Sequence, residues 1–264
     1  MKQTISILGS GWLGVPVAKR LLKRFAQVKI STRTDEKMAH LAALGLQPYL
    51  IDIENLQDNI DPFLNSDILL INITSKNVAA FALLLEKIEQ SSIQKLLFIS
   101  STGVYPNNSG LCKESDDLSE VLHPLLTIES LFRNSRHFQT TILRFAGLIG
   151  GRRHPGRFFA TTKVPAKTIS SAQAPVNLIH LDDCVEMIEQ IIKREVWGEV
   201  LNGCADTHPT KAQFYTHNAL ALGLEKPRLS DDSAINKVVC NDKVKALLDY
   251  QFIHPDLMQI DDYE

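Results

Sequence analysis

Short runs of almost continuously apolar residues alternate along the chain with longer stretches in which apolar side chains recur every three or four positions. The runs Thr4–Leu8, Val28–Thr32, Gln47–Ile51, Asp67–Ile73, Lys95–Ser100 and Thr140–Phe145 have strand length. Their lack of apolar/polar alternation suits parallel strands covered on both faces. Helical spacing fills 13–25, 35–44, 77–90 and about 124–137. Strands and helices in regular alternation predict an α/β fold with a doubly wound parallel sheet.

The rhythm changes after residue 150. A polar stretch, 106–120, already reads as a loop, and Gly150-Gly151-Arg152-Arg153-His154-Pro155-Gly156 is another. Pro165 and Pro175 interrupt the stretch beyond it. A helix over 183–194, a strand Val200–Gly203 and a helix Lys211–Leu222 come next. Asp183 with Glu186, and Thr210 with Gln213, have the spacing of capping boxes. The expected organisation is a sheet domain over 1–150 and a small lobe over 151–264, interleaved with the sheet because Val200–Gly203 can add to it.

Composition narrows the function classes. The 264 residues are 44% hydrophobic and 22% charged, ordinary for a globular protein, and the net charge of −2 provides no field to recruit nucleic acid or an anionic membrane. No apolar run is long enough to span a bilayer. Cys112, Cys184, Cys204 and Cys240 are scattered, with no C-x-x-C pair and no clustered histidines. That spacing argues against a metal site and a disulfide framework and fits a reducing cytoplasm. The first strand begins by residue 4, so no signal peptide is expected.

The most informative segment is Ile5-Ser6-Ile7-Leu8-Gly9-Ser10-Gly11-Trp12-Leu13-Gly14. A strand enters Gly-x-Gly-x-x-Gly and a helical pattern leaves it. Gly9 suits a tight turn, Gly11 lets backbone amides approach a pyrophosphate, and Gly14 allows close packing of helix on strand. With Trp12 and Leu13 at the helix start, the unpaired amides and the helix dipole favour an anion. The plainer alternative is a glycine-rich turn with no ligand. The context of strand, spacing and helix points instead to a Rossmann-type NAD(P) site, with Ile73 and Thr74 after the fourth strand as further cofactor candidates. NAD-preferring sites carry an acid at the end of the second strand, whereas an arginine there accommodates the NADP phosphate. Here the strand ends Ser31-Thr32-Arg33, with Asp35 and Glu36 placed for the first turn of the next helix. Arg33 can pair with a phosphate bidentately, so NADP is expected in preference to NAD.

Six passages carry a wider resemblance: 7–14; Tyr49-Leu50-Ile51-Asp52-Ile53; Leu97-Phe98-Ile99-Ser100-Ser101-Thr102-Gly103-Val104-Tyr105; Thr141–Gly150; Val176-Asn177-Leu178-Ile179-His180-Leu181-Asp182-Asp183; and Lys237–Asn241. In order and spacing the chain resembles the extended short-chain dehydrogenase/reductases, in particular the atypical bacterial members that are nucleoside-diphosphate-sugar epimerase-like. The resemblance implies an NAD(P)-dependent oxidoreductase or epimerase acting on a small molecule, such as a nucleotide sugar, as a monomer or homodimer. It places Asp52 near the adenine and Ser101 on the substrate oxygen, and it expects Tyr-x-x-x-Lys on the following helix. This chain has no tyrosine between Tyr105 and Tyr215 and no lysine between Lys113 and Lys163. Aligning Glu129 with the acid that ends the family motif puts apolar residues at both catalytic positions.

Tyr105, four residues after Ser101, is then the candidate proton donor, with structural packing as its alternative role. Thr102, Arg144, Arg152 and Arg153 are candidate substrate contacts; the arginine loop suits a diphosphate. Lys113 and Glu114 have no feature that positions them. His123, before Pro124, reads as a surface helix boundary, and His180 as a partly buried structural side chain. The rival to an enzyme is a non-catalytic NADP(H)-binding sensor or regulatory module.

Overall fold

Ile5, Ile7, Ile68, Leu69, Leu70 and Ile71 are wholly inaccessible to solvent, and they form the middle of a seven-stranded parallel sheet. The computed structural model describes residues 3–56, 59–159, 168–231, 235–260 and 263. The first five strands are β1 (Thr4–Leu8), β2 (Gln27–Thr32), β3 (Gln47–Leu50), β4 (Ile68–Ile71) and β5 (Lys95–Ser101). With Gln139–Phe145 and Val200–Gly203 the sheet order is Val200–Gly203, Gln139–Phe145, β5, β4, β1, β2, β3. Val200–Gly203 therefore completes one edge of the sheet, as its sequence suggested.

Parallel pairing requires a crossover between strands, and helices supply it. They are α1 (Gly14–Leu21), α2 (Glu36–Ala43), α3 (Asp61–Leu64), α4 (Val78–Glu89) and α5 (Pro124–Asn134). Ile7 pairs with Ile30 on one side and Leu70 on the other. This is where strand order reverses, the switch point outside whose carboxyl ends ligands bind in such sheets. β3 lies at the far edge and tolerates Pro48, which has no amide to donate. Within β2 the buried Lys29 donates to the carbonyls of Pro62 (2.6 Å) and Asn65 (2.5 Å) at the end of α3.

Two compact units divide the chain. One comprises residues 1–101, 122–144 and 185–201; the other comprises 102–121, 145–184 and 202–264. In the second, three short parallel pairs form: Gly147–Ile149 with Leu178–His180, Leu111–Cys112 with Val238–Val239, and Thr168–Ile169 with Arg228–Leu229. Its core gathers Ile149, Val176, Leu178, Phe214, Leu257, Ile260 and Tyr263. Helix α6 (Leu181–Lys193) contributes Leu181–Cys184 to this unit and Val185–Lys193 to the first, while α7 (Lys211–Ala221) and α8 (Asp242–Leu248) lie wholly in the second. The Thr210–Gln213 capping box at α7 forms as its spacing predicts.

The Asp183–Glu186 box does not. Helix α6 begins two residues earlier, at Leu181, which moves Asp183 into the first turn. There Asp183 is fully buried and accepts from the Tyr250 hydroxyl (2.7 Å) and the amides of Ile253 (2.7 Å) and His254 (3.1 Å). Burial raises its pKa above the usual aspartate value, against those hydrogen bonds. Pro165 lies outside the described residues, while Pro175 forms an isolated bridge to Thr210.

Candidate dinucleotide site

Beyond the carboxyl ends of β1, β2 and β4 lies a cleft of about 250 Å³. Eight sequence-predicted cofactor residues line it: Gly9, Gly11, Ser31, Thr32, Arg33, Asp52, Ile73 and Thr74. Trp12, Leu13 and Gly14 are not among its lining residues; they belong to the turn and the start of α1 behind it. Lys37, Glu54 and Asn72 also line the cleft and were missed by sequence reasoning. Lys37 could have been found, because it follows Arg33 by four positions at the start of a helix.

The three glycines have distinct mechanical roles. Gly9 has φ +116°, and a Cβ there would overlap the Asn72 carbonyl on the neighbouring strand end. A Cβ on Gly14 would overlap the Gly9 carbonyl oxygen and approach the Asn72 side chain. Both positions are therefore fixed by backbone packing. Gly11 is different: nothing lies within 4 Å of its Cβ position. No side chain caps α1, whose flanking residue is Leu13. An open glycine beside an uncapped helix start is the cradle a pyrophosphate needs, so these residues fit the dinucleotide they were predicted to hold.

The far end of the cleft is polar. Ser31 is buried, and its hydroxyl accepts from the Gly9 amide at 2.8 Å, so it braces the glycine turn. The Thr32 hydroxyl accepts from the Thr34 amide at 3.3 Å and shapes the turn after β2. Asp52 accepts from the Glu54 amide at 3.1 Å. The Glu54 carboxylate is held by the Ser75 hydroxyl (2.5 Å) and the Asn77 amide (2.6 Å). These bonds, with a smaller contribution from Arg33, keep it below the usual glutamate pKa. Arg33 and Lys37 bring positive charge to the same wall.

At the end of β5, Ser100 and Ser101 have different surroundings. The Ser100 hydroxyl donates to Glu129 at 2.6 Å. Arg144 closes on the same carboxylate, with Nη2 at 2.6 Å and Nε at 3.1 and 3.2 Å from its two oxygens. Both charged side chains are almost fully buried, 6% and 3% exposed. The structure thus gives Arg144, a substrate candidate from sequence, an internal partner: Glu129 reaches it from α5 across an interior where an unpaired guanidinium could not remain. Ser101 is half-buried.

Thr102, Tyr105, Arg152 and Arg153 lie in the second unit. Thr102 is buried in a helical turn and its carbonyl accepts from the Tyr105 amide. Tyr105 is 2% exposed and its hydroxyl donates to Asn202 at 2.9 Å. That is the packed role weighed against catalysis. Asn202 in turn donates its amide nitrogen to the Cys240 carbonyl, while its backbone N–H is taken by Glu114 at 2.8 Å. Lys237 donates to the Tyr105 carbonyl at 3.2 Å, and burial lowers its pKa. Arg152 and Arg153 are exposed on a tight loop closed by the Gly150–Arg153 bridge. His123 is the N-cap of α5, its Nδ1 accepting from the Leu125 amide at 3.2 Å.

A parallel sheet with a glycine turn, an open helix start and a cationic far wall defines a dinucleotide-binding α/β protein. Comparison with known proteins agrees: residues 9–174 match the NAD(P)H-binding family model, and the chain belongs to that family. It is 32% identical over 269 residues to the protein YeeZ of Escherichia coli K12, covering 96% of both chains. Among solved structures it is similar to a functionally unknown conserved protein from Silicibacter pomeroyi, with 19% identity, TM-score 0.79, and 99% and 100% of the two chains covered. It also matches the UDP-glucuronic acid 4-epimerase of Bacillus cereus in complex with NAD, at 19% identity and TM-score 0.75, over 98% of this chain and 95% of the other. The fold is that of NAD-dependent epimerases. Among the described residues no helix is long and apolar enough to cross a membrane.

Proposed function

We propose that the protein is an NADP(H)-dependent, epimerase-like oxidoreductase of the atypical short-chain type, acting on a small hydroxyl or carbonyl substrate of the nucleotide-sugar class. The observation that carries this reading is the cleft itself, which joins the Gly9–Gly11 turn to the cations Arg33 and Lys37. No carboxylate stands at the tip of β2 to repel a 2′-phosphate, and Arg33 has the fork geometry to hold one. The structural relative from Bacillus cereus, solved with NAD and named for a sugar nucleotide, supports the substrate class.

When bound, the nicotinamide supplies hydride chemistry. The chain's own part is orientation and one proton. Ser101 positions the substrate oxygen. Tyr105 is committed to Asn202, so a water in the site exchanges the proton. Four free cysteines fit a reducing cytoplasm.

The experiment is a fluorescence titration with NADPH and NADH, with Arg33→Ala alongside. Tighter binding of NADPH, lost in the variant, supports the cofactor assignment; equal binding of both nucleotides refutes the preference. The absence of any tyrosine between Tyr105 and Tyr215 favours one alternative, a non-catalytic NADP(H) sensor. Turnover of NADPH with a panel of sugar nucleotides and carbonyl compounds, abolished by Ser101→Ala, decides against it.

A further inference from the structure

Sequence spacing shows no metal-ligand pattern, yet folding of the second unit creates one. His180 ends the strand Leu178–His180, Asp182 lies in the first turn of α6, and His254 comes 72 residues after Asp182. The buried Asp183 brings them together by binding the backbone of Ile253 and His254. One nitrogen of each imidazole and one oxygen of the Asp182 carboxylate all lie within 4.8 Å of one another.

The distances suit a shared ion as well as direct contact between the groups. Asp182 Oδ2 is 3.2 Å from His254 Nε2 and 3.4 Å from His180 Nδ1. The first is a hydrogen bond at the long end of the usual range, about 2.7–3.2 Å, and the second lies beyond that range. Two ligands held about 2.1 Å from one tetrahedral ion stand roughly 3.4 Å apart. One competing contact is the Asp182 amide on His180 Nδ1, long at 3.3 Å. Exposure is graded as well: the His180 side chain is 5% exposed, His254 23% and Asp182 57%. Two ligands are thus seated in the protein while the third faces water.

We propose that His180, Asp182 and His254 form a binding site for a divalent ion of the zinc type, with its remaining positions open to water. Two neutral imidazoles and one carboxylate suit such ions. The carboxylate also offsets the positive end of the α6 dipole. A bound ion fastens the segment around His254 to the start of α6, stabilising the second unit. The site is independent of the nucleotide assignment.

The test uses the full-length protein after chelator treatment, titrated with Zn²⁺ by calorimetry and with Co²⁺ by visible absorption, with thermal melts in parallel. The expected result is one saturable ion per chain, a Co²⁺ ligand-field band and a higher melting temperature with metal. Asp182→Asn and His254→Ala alter partly exposed groups, so both should fold. Each should weaken binding at least tenfold, the lower end of what even outer-shell partners typically contribute, and abolish the thermal gain. Absence of saturable binding overturns the proposal, and so does equal affinity in the parent and both variants, which places the ion elsewhere.

Discussion

The carbonyl oxygen of Gly9 occupies the place a side chain on Gly14 would need. The first and third glycines of the motif are therefore packed closely against each other, while the second faces open space. Gly14→Ala should cost about 3 kcal/mol or more, the upper end of overpacking penalties. Gly11→Ala should leave stability within about 0.5 kcal/mol and weaken NADPH binding at least tenfold. Chemical denaturation and nucleotide titration of the two variants separate these effects. Equal destabilisation by both would show that the distinction is unsound.

Glu54 shares the cleft wall with Arg33 and is kept ionised by Ser75 and Asn77. Its negative charge opposes a 2′-phosphate. Glu54→Gln keeps a hydrogen-bonding side chain and removes the charge, so NADPH affinity should rise severalfold with NADH little changed. The ratio of the two dissociation constants is the readout. A parallel shift for both nucleotides would exclude an effect at the phosphate.

Arg144 and Glu129 neutralise each other in the interior. Arg144→Met alone strands a buried carboxylate and should destabilise by about 3–5 kcal/mol. Adding Glu129→Leu should recover much of that loss, since a hydrophobic pair of similar volume often replaces a buried ion pair at little cost. Urea unfolding of the single and double variants measures the coupling. Additive losses would mean that the two groups act separately.

His123 caps α5 as a neutral acceptor. Burial foremost, and then Lys76, lower its pKa from the ordinary imidazole value near 6.5. Its stabilising contribution is therefore full above that value and lost as pH falls through the lower folded-state pKa. Protonation also removes the Nδ1 acceptor and puts a cation at a helix N-terminus. His123→Asn retains an acceptor that does not titrate. Between pH 7.5 and pH 5 the variant should lose less melting temperature than the parent; identical losses would remove His123 from the acid response.

The α/β class, the six apolar strands, Val200–Gly203 as an added strand and the close packing of the glycine turn were all legible in the sequence. Each rests on information carried within one local segment: continuous apolar runs specify strands buried on both faces, and close backbone approach can be read from glycine spacing. Arg33 was legible for the same reason, as a charge at a strand tip. What each remaining polar side chain touches was set by tertiary structure alone. Tyr105 meets Asn202, 97 positions away; Asp183 collects Tyr250, Ile253 and His254; Arg144 turns to Glu129; and His254 returns to His180 and Asp182. A buried polar group must find a partner. The sequence by itself shows that the requirement exists, but chain closure over long separations decides which residue satisfies it.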